Sequence, residues 1–457
     1  MLDKSIFRTY DIRGIVGESL TEDSVFCMGQ ALGSLLRDIG EDHMIIARDG
    51  RVSSPLLSEA LARGILASGC DVTDIGMVPT PVLYYATQVL NKHSGVMLTG
   101  SHNPAEYNGL KSVIQGVTLS EDGIKQLYQR IIEKRFHHGQ GCYQQETIEE
   151  RYIKEVVNNI RLSRPLKIVI DAGNGVTGQI APELFKALGC EVHALFCEVD
   201  GRFPNHHPDP TSADNLQDLI RVVTETKADV GLAFDGDGDR LGIVTNRGTM
   251  ISSDRLLMLF SKAVLAQHAN ATIIFDVKCT NHLAALIRSL GGNPIMWKTG
   301  HSLIKAKMAE TEALLAGEMS GHLFFKDRWY GFDDALYAGA RLLEILACEK
   351  EDSDTLFDSI PNSVITPELR VAVSEQEKFQ LMQTLMDHAD FSEAKEVNRI
   401  DGLRVSFENG WGLIRPSNTT PYLIMRFEAE SEVILKNIQQ SFRDWMLSVR
   451  SDLVLPF

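Results

Sequence analysis

No CxxC pair occurs among the seven cysteines, at positions 27, 70, 142, 190, 197, 279 and 348. An odd count without that spacing excludes a disulfide framework and a thiolate zinc site, and points to reduced thiols in the cytoplasm. No stretch approaches the roughly 18 consecutive apolar residues of a membrane span. The opening MLDKSIFRTYD carries two aspartates and no apolar core, so neither membrane insertion nor export is expected. Basic side chains are in deficit, 45 against 61 acidic ones, for a formal net charge of -16. That field repels nucleic-acid phosphates and anionic membrane surfaces, and neither is expected as a partner. What remains is the balance of a globular protein, 44% hydrophobic and 23% charged over 457 residues. At roughly 100 to 200 residues per domain, this length allows three or four domains.

Short apolar runs end abruptly in polar loops: MIIARDGR (44–51), GVMLTGSHNP (95–104), KIVIDAGNG (167–175), VGLAFDGDGDR (230–240), IIFDVK (273–278) and LLAGEMSGH (314–322). They read as buried strands, and the amphipathic stretches between them as crossover helices, which makes the first three-quarters α/β with mainly parallel mixed sheets. Strands ending in Asp49, Asp171 and Asp276 recur about a hundred residues apart and hint at three related units. Segments 135–145 and 348–368 read as linkers. Beyond the second, a capping pair Ser374/Glu377, a helix through FQLMQTLM, two strands and a closing helix form a smaller α+β domain. The domains expected are thus 1–150, 151–254, 255–366 and 367–457. In parallel sheets ligands bind outside the carboxyl ends of the strands, which directs attention to the loops.

Asp235, Asp237 and Asp239 alternate with glycine in FDGDGDR, and three carboxylates so close repel one another by about 1 to 4 kcal/mol per pair. A hard divalent cation would relieve that repulsion, Mg²⁺ first, with Mn²⁺ or Ca²⁺ chemically admissible. An EF-hand is excluded, because Arg240 and Asn246 stand where it needs glycine and glutamate. In TGSHNP (99–104), Ser101 sits where a strand breaks, next to His102; a serine needs activation to act as a nucleophile, and the hexamer also makes an ordinary turn. Lys111 is either a solvated charge or a phosphate contact. GEMSGH (317–322) places Glu318, Ser320 and His322 at alternate positions, which on an extended backbone would face a polyol together. TGHSLIK offers His301 and Lys305, and RPSNTTP (415–421) joins Arg415 to Ser417, Asn418, Thr419 and Thr420 as a phosphate cradle or a hydroxyl-rich turn. DAGNGVTG has the GxGxxG spacing of a dinucleotide site at Gly173, Gly175 and Gly178, but that reading leaves the other motifs without roles.

In the order YDIRG, TGSHNP, DGDGDR, GEMSGH, RPSNTTP, these motifs make the chain resemble the α-D-phosphohexomutase superfamily, within it the phosphomannomutase/phosphoglucomutase group. The resemblance implies three α/β domains and a fourth like a TATA-binding protein, set around one central cleft. It implies that Ser101 carries a phosphoryl group and completes a Mg²⁺ site with Asp235, Asp237 and Asp239. That group passes to a hexose phosphate to give a hexose 1,6-bisphosphate, which turns and returns the other one. By the same resemblance Glu318 and Ser320 contact sugar hydroxyls, and Arg415, Ser417, Asn418 and Thr419 cradle the idle phosphate. Tyr10, Arg13, Lys111, Arg240, Lys278, His301 and His322 line the cleft. His102, Lys111, His301 and His322 all qualify as proton carriers, and none is singled out. If Glu318 and Ser320 hold the 3- and 4-hydroxyls, nothing reads carbon 2, and both glucose and mannose phosphates should react. A monomer acting on small hexose phosphates is expected. The alternatives are a phosphoglucosamine mutase, whose sugar loop usually has Gln where Met319 stands, and a metal-dependent sugar phosphatase or phosphosugar-binding protein.

Overall fold

The computed structural model describes residues 2–374, 376–417 and 421–457. Among these residues the strands form four sheets. In the first, Tyr107–Ile114, Gly95–Leu98, His43–Arg48 and Asp71–Met77 lie side by side, with Ile12–Ile15 and Tyr143–Gln145 at the edges. In the second the corresponding order is Leu241–Thr245, Val230–Phe234, Lys167–Asp171, Glu191–Leu195, and in the third Leu323–Phe325, Leu315–Gly317, Thr272–Asp276, Asn293–Trp297. Each of the three starts with an antiparallel pair and continues with two parallel ones.

The hint of three related units therefore holds at the level of topology. In every unit the antiparallel hairpin joins the last two, in chain order, of these four strands. Those three hairpins carry Ser101, the alternating aspartates and the Glu318 turn, so one repeated element delivers three of the motifs. Asp49, Asp171 and Asp276 end the equivalent central strand in each unit. Asp49 Oδ2 accepts from Thr99 Oγ1 at 2.8 Å and from the Gly100 amide at 3.1 Å, tying that strand to its own hairpin loop.

Helices start where local chemistry permits: Glu22–Asp38 has a Thr21/Ser24 capping box, and Ala335–Cys348 is capped by Asp334, whose carboxylate accepts from the Tyr337 amide. The fourth sheet is antiparallel, with central strands Leu403–Phe407, Gly410–Pro416 and Tyr422–Ala429. One face of it packs Val405, Ile414, Met425 and Phe427 against helices Lys378–Asp387 and Glu432–Val449. Ser374 and Glu377 do bond to each other, but the helix begins after them, at Lys378.

Both expected linkers are partly ordered elements. Tyr143–Gln145 adds an edge strand to the first sheet, and Ser353–Asp358 and Val364–Ile365 are a helix and a strand. One apolar core runs without a break from Tyr85 through Ile168 and Phe260 to Tyr337, uniting the first three units, whereas the fourth domain has a core of its own. No helix among the described residues is long and apolar enough to cross a membrane.

Candidate functional site

Strand Gly95–Leu98 is buried along its whole length and delivers the chain into a loop in which Ser101 has φ +49°. A non-glycine residue in that left-handed region costs on the order of 1 kcal/mol or more and persists only when its surroundings hold it. The holder is Arg51. Its buried guanidinium donates to the carbonyls of Ser101 (2.8 Å), Asn103 (2.6 Å), Pro104 (2.5 Å) and Tyr107 (2.9 Å), while its Nε stands 3.2 Å from Asp49 Oδ2. The Ser101 hydroxyl, thus aimed, donates to Asp235 Oδ2 at 2.9 Å and lies 3.1 Å from His102 Nδ1.

Asp235, Asp237 and Asp239 are fully buried behind the cleft wall, with carboxylate oxygens all within 4.8 Å of one another. Asp235 Oδ1 accepts from the amides of Gly238, Asp239 and Arg240 at 2.9, 3.1 and 3.2 Å, so the loop's own backbone folds around it. Burial, and then the neighbouring charges of Asp237 and Asp239, push the Asp235 carboxyl well above its ordinary range. Lys111 Nζ reaches Asp237 Oδ2 at 2.6 Å and also bonds Asp239 Oδ2. Burial works against the charge on Lys111, but the aspartates outweigh it and hold the ammonium charged. The second oxygens, Asp237 Oδ1 and Asp239 Oδ1, are buried without a hydrogen-bond partner. Orphaned carboxylate oxygens converging with Asp235 and the Ser101 hydroxyl form an oxygen-only donor set that fits a hard divalent cation. Gly175 of DAGNGVTG serves this loop as well: a Cβ there would stand 2.9 Å from Gly236 O, which accepts from the Val176 amide at 3.2 Å.

A cleft of about 1050 Å³ opens in front of these groups. Ser101, His102, Lys111 and Arg240 line its inner end, and Tyr10, Arg13, Lys278, His301, Glu318, Ser320, His322, Arg415 and Ser417 line the rest. Asn418 and Thr419, expected beside Ser417, lie outside the described residues. Arg13 is paired with Asp11 at 2.6 Å and bonds Asn103 of the Ser101 loop. The Tyr10 ring meets His301 edge-on at 5.4 Å. Arg415 is oriented by Asp401 (2.9 Å) and keeps one terminal nitrogen buried without a partner among the described residues. His102 and His301 are both held well below the ordinary imidazole value, by burial first and then by the cations Arg240 and Lys305 respectively.

GEMSGH differs from its expected form. It is a tight hairpin turn, with the Glu318 amide donating to His322 O (2.9 Å) and Gly321 at φ +96°, not an extended run. Glu318 is nevertheless aimed at the cleft, because the Gly300 amide donates to its Oε1 at 2.5 Å. Burial raises the Glu318 carboxyl above its usual range.

Arg51, Thr80 and Asp333 escaped sequence reasoning. Thr80 Oγ1 donates to Asp237 Oδ2 at 2.5 Å from 157 positions away, a separation that leaves no local trace. Arg51 follows a strand-ending aspartate by two residues, the one signal that could have marked it.

Comparison with known proteins covers almost the entire chain. Residues 4–138, 150–248 and 252–364 match the phosphoglucomutase/phosphomannomutase alpha/beta/alpha domains I, II and III, and 368–444 match its C-terminal domain. A phosphomannomutase/phosphoglucomutase of Pseudomonas aeruginosa is 53% identical over 456 residues, covering 100% of this chain and 98% of the relative. A phosphoglucomutase of Neisseria gonorrhoeae is 49% identical, covering 97% and 96%. The crystal structure of a phosphoglucomutase/phosphomannomutase family protein from Burkholderia thailandensis superposes with a TM-score of 0.96 at 51% identity, covering 100% of both chains.

Proposed function

The chain belongs to the phosphoglucomutase/phosphomannomutase family, and on that premise we propose that it moves a phosphoryl group between the 6- and 1-hydroxyls of mannose and glucose phosphates. Ser101 is the group that carries the phosphoryl between turnovers. As the phosphoryl passes to the free hydroxyl of the bound sugar, the bond from phosphorus to Oγ breaks, the hydroxyl proton leaves to a neighbouring base and Oγ takes up a proton. The hexose 1,6-bisphosphate then turns, and the phosphoryl at its other end returns to Ser101 Oγ. The observation that carries this reading is the Ser101 hydroxyl donating at 2.9 Å to Asp235, from a backbone held in the left-handed region.

A bound divalent cation, Mg²⁺ by the hardness of its ligands, would be held by Asp235, Asp237, Asp239 and Ser101 and would neutralise charge on the transferring phosphoryl oxygens. Lys111 and Arg240 add positive charge at the same end of the cleft, which is what a transfer with little covalent chemistry requires. Arg415 and Ser417, with Asn418 and Thr419, hold the idle phosphate, so that a bisphosphate finds equivalent ends. The expected boundaries 1–150, 151–254, 255–366 and 367–457 put YDIRG and TGSHNP on the first domain and one motif on each of the other three. All the groups named come from one chain, so a single copy supplies the whole site, and we propose that it acts as a monomer. Seven cysteines free of disulfide bonds support a cytoplasmic setting.

Ser101→Ala tests the phosphoserine. The variant should fold normally and lose at least a thousandfold in kcat, and ³²P from labelled hexose phosphate should appear on the wild-type protein and not on the variant. Turnover with no label on the wild type would end the reading. Substrate breadth has its own test. With Glu318 and Ser320 reading hydroxyls common to both epimers, kcat/KM for glucose 1-phosphate and mannose 1-phosphate should differ by less than about a thousandfold, around 4 kcal/mol.

A further inference from the structure

Two adjacent aspartates precede helix Ala335–Cys348, and the fold sends them in opposite directions. Asp334 turns back to cap the helix. Asp333, bridged through its backbone to Phe324, points towards the cleft and is completely buried. Its Oδ1 accepts from Lys305 Nζ at 2.9 Å, and Lys305 in turn lies over the Tyr84 ring at 4.1 Å. Its Oδ2 stands 3.1 Å from His322 Nδ1 and 3.6 Å from His301 Nδ1. Asp239 Oδ1 is also near His322 Nδ1, at 3.5 Å, so Asp333 is the closer of two carboxylates, and both approach the ring away from ideal hydrogen-bond geometry.

The other nitrogen of His322 decides what this means. Arg240 Nε lies 3.1 Å from His322 Nε2. A guanidinium nitrogen donates and cannot accept, so Nε2 must be the accepting nitrogen and the hydrogen of a neutral ring belongs on Nδ1, facing Asp333. We propose that Asp333 is a positioning residue: it holds His322 in the Nδ1–H tautomer, and His322 thereby fixes Arg240 with its terminal nitrogens directed at the cleft. The relay runs Lys305, Asp333, His322, Arg240, each member gripping the next through a polar contact. Asp333 itself touches no substrate. With Asp333 replaced by asparagine, Lys305 keeps the amide oxygen and the amide NH₂ faces Nδ1, so the ring loses its nearer carboxylate; the alternative tautomer then sets a ring N–H against the Arg240 N–H, and the guanidinium is driven out of position. The consequence for turnover rests on the mutase reading, since Arg240 would then meet a hexose phosphate; the tautomer itself does not.

Asp333→Asn is the discriminating variant. Its kcat should fall about 100-fold with the far-ultraviolet circular dichroism unchanged. In ¹⁵N-histidine-labelled protein, the His322 resonances of the wild type should report Nδ1–H, and those of the variant Nε2–H. In a cycle with Arg240→Met, the double variant should lose no more than about threefold beyond Arg240→Met alone, because both changes remove the same placement. A wild-type His322 found as Nε2–H, or a kcat of Asp333→Asn within threefold of wild type, overturns the proposal. Should Asp333→Asn not fold, the wild-type spectrum alone decides. That spectrum needs no turnover, so failure of ³²P labelling would remove the mutase reading and leave the relay standing.

Discussion

Asp333 and Asp334 are neighbours in sequence with opposite electrostatics. Burial opposes the charge of Asp333, but Lys305 and His322 outweigh it and hold the carboxyl well below its usual range. Asp334 is raised to about 7 by burial, against the donors Tyr337 N, Tyr152 OH and Trp329 Nε1. A carboxyl raised in the folded state binds its proton more tightly there than in the unfolded chain. Its contribution to stability is therefore complete below about pH 4 and is lost as pH rises through 7, by about 1.4 kcal/mol per unit within that window. Asp334→Asn keeps the cap and the shape without the charge, so its urea-unfolding free energy should gain on the wild type between pH 5 and pH 8. An unchanged difference across that range would show that Asp334 does not titrate there. At this scale the aspartate trio was legible because three carboxylates in five residues are a local anomaly. The relay and Arg51 were not, since Asp333 meets Lys305 from 28 positions away and Arg51 meets Asn103 from 52.

The working element is the hairpin, used three times and placed by strand order. Two of these hairpins touch at Gly236, where a Cβ would stand 2.4 Å from the Ser101 carbonyl oxygen. Because the obstacle is backbone, the contact can be relieved only by moving the Ser101 loop or the aspartate loop. Gly236→Ala should lower kcat at least tenfold while the protein stays folded, as circular dichroism beside steady-state kinetics would establish; full activity would mean that the two loops need not approach so closely. The strands were legible as apolar runs, because burial on both faces removes alternation. The GEMSGH turn was not, since alternate polar residues look the same in an extended strand and in a hairpin turn closed by one glycine in the left-handed region.

At the scale of the whole molecule, three units share one core and the fourth is joined to them by little apolar surface, chiefly Val277 against Trp411 and Leu413. Arg404 strengthens that junction. Its buried guanidinium donates to Cys279 O at 2.9 Å and Asn281 Oδ1 at 2.6 Å, bonds Val277 O as well, and lies 3.8 Å over the Trp411 ring. These contacts flank Lys278, and with Thr280 Oγ1 donating to Glu428 Oε1 at 2.8 Å they hold the fourth domain beside a cleft residue of the third. Arg404→Met keeps the packing on Trp411 and removes the donors. KM for hexose phosphate should rise about tenfold with kcat within threefold, and calorimetry should show the fourth domain unfolding at a lower temperature than the rest. A single unshifted transition with unchanged KM would deny the junction that role.

Local order in the chain was enough to determine the α/β class, the change of pattern in the last domain, the metal-fitting trio and the family, because each is written within a few consecutive residues. Tertiary structure alone decided which side chains support those groups: the arginine gripping four carbonyls beneath Ser101, the aspartate behind His322 and the arginine between the third and fourth domains. Their partners are brought together only by crossover connections, and the free energy of a buried polar contact depends on distance in space, to which separation along the chain is no guide.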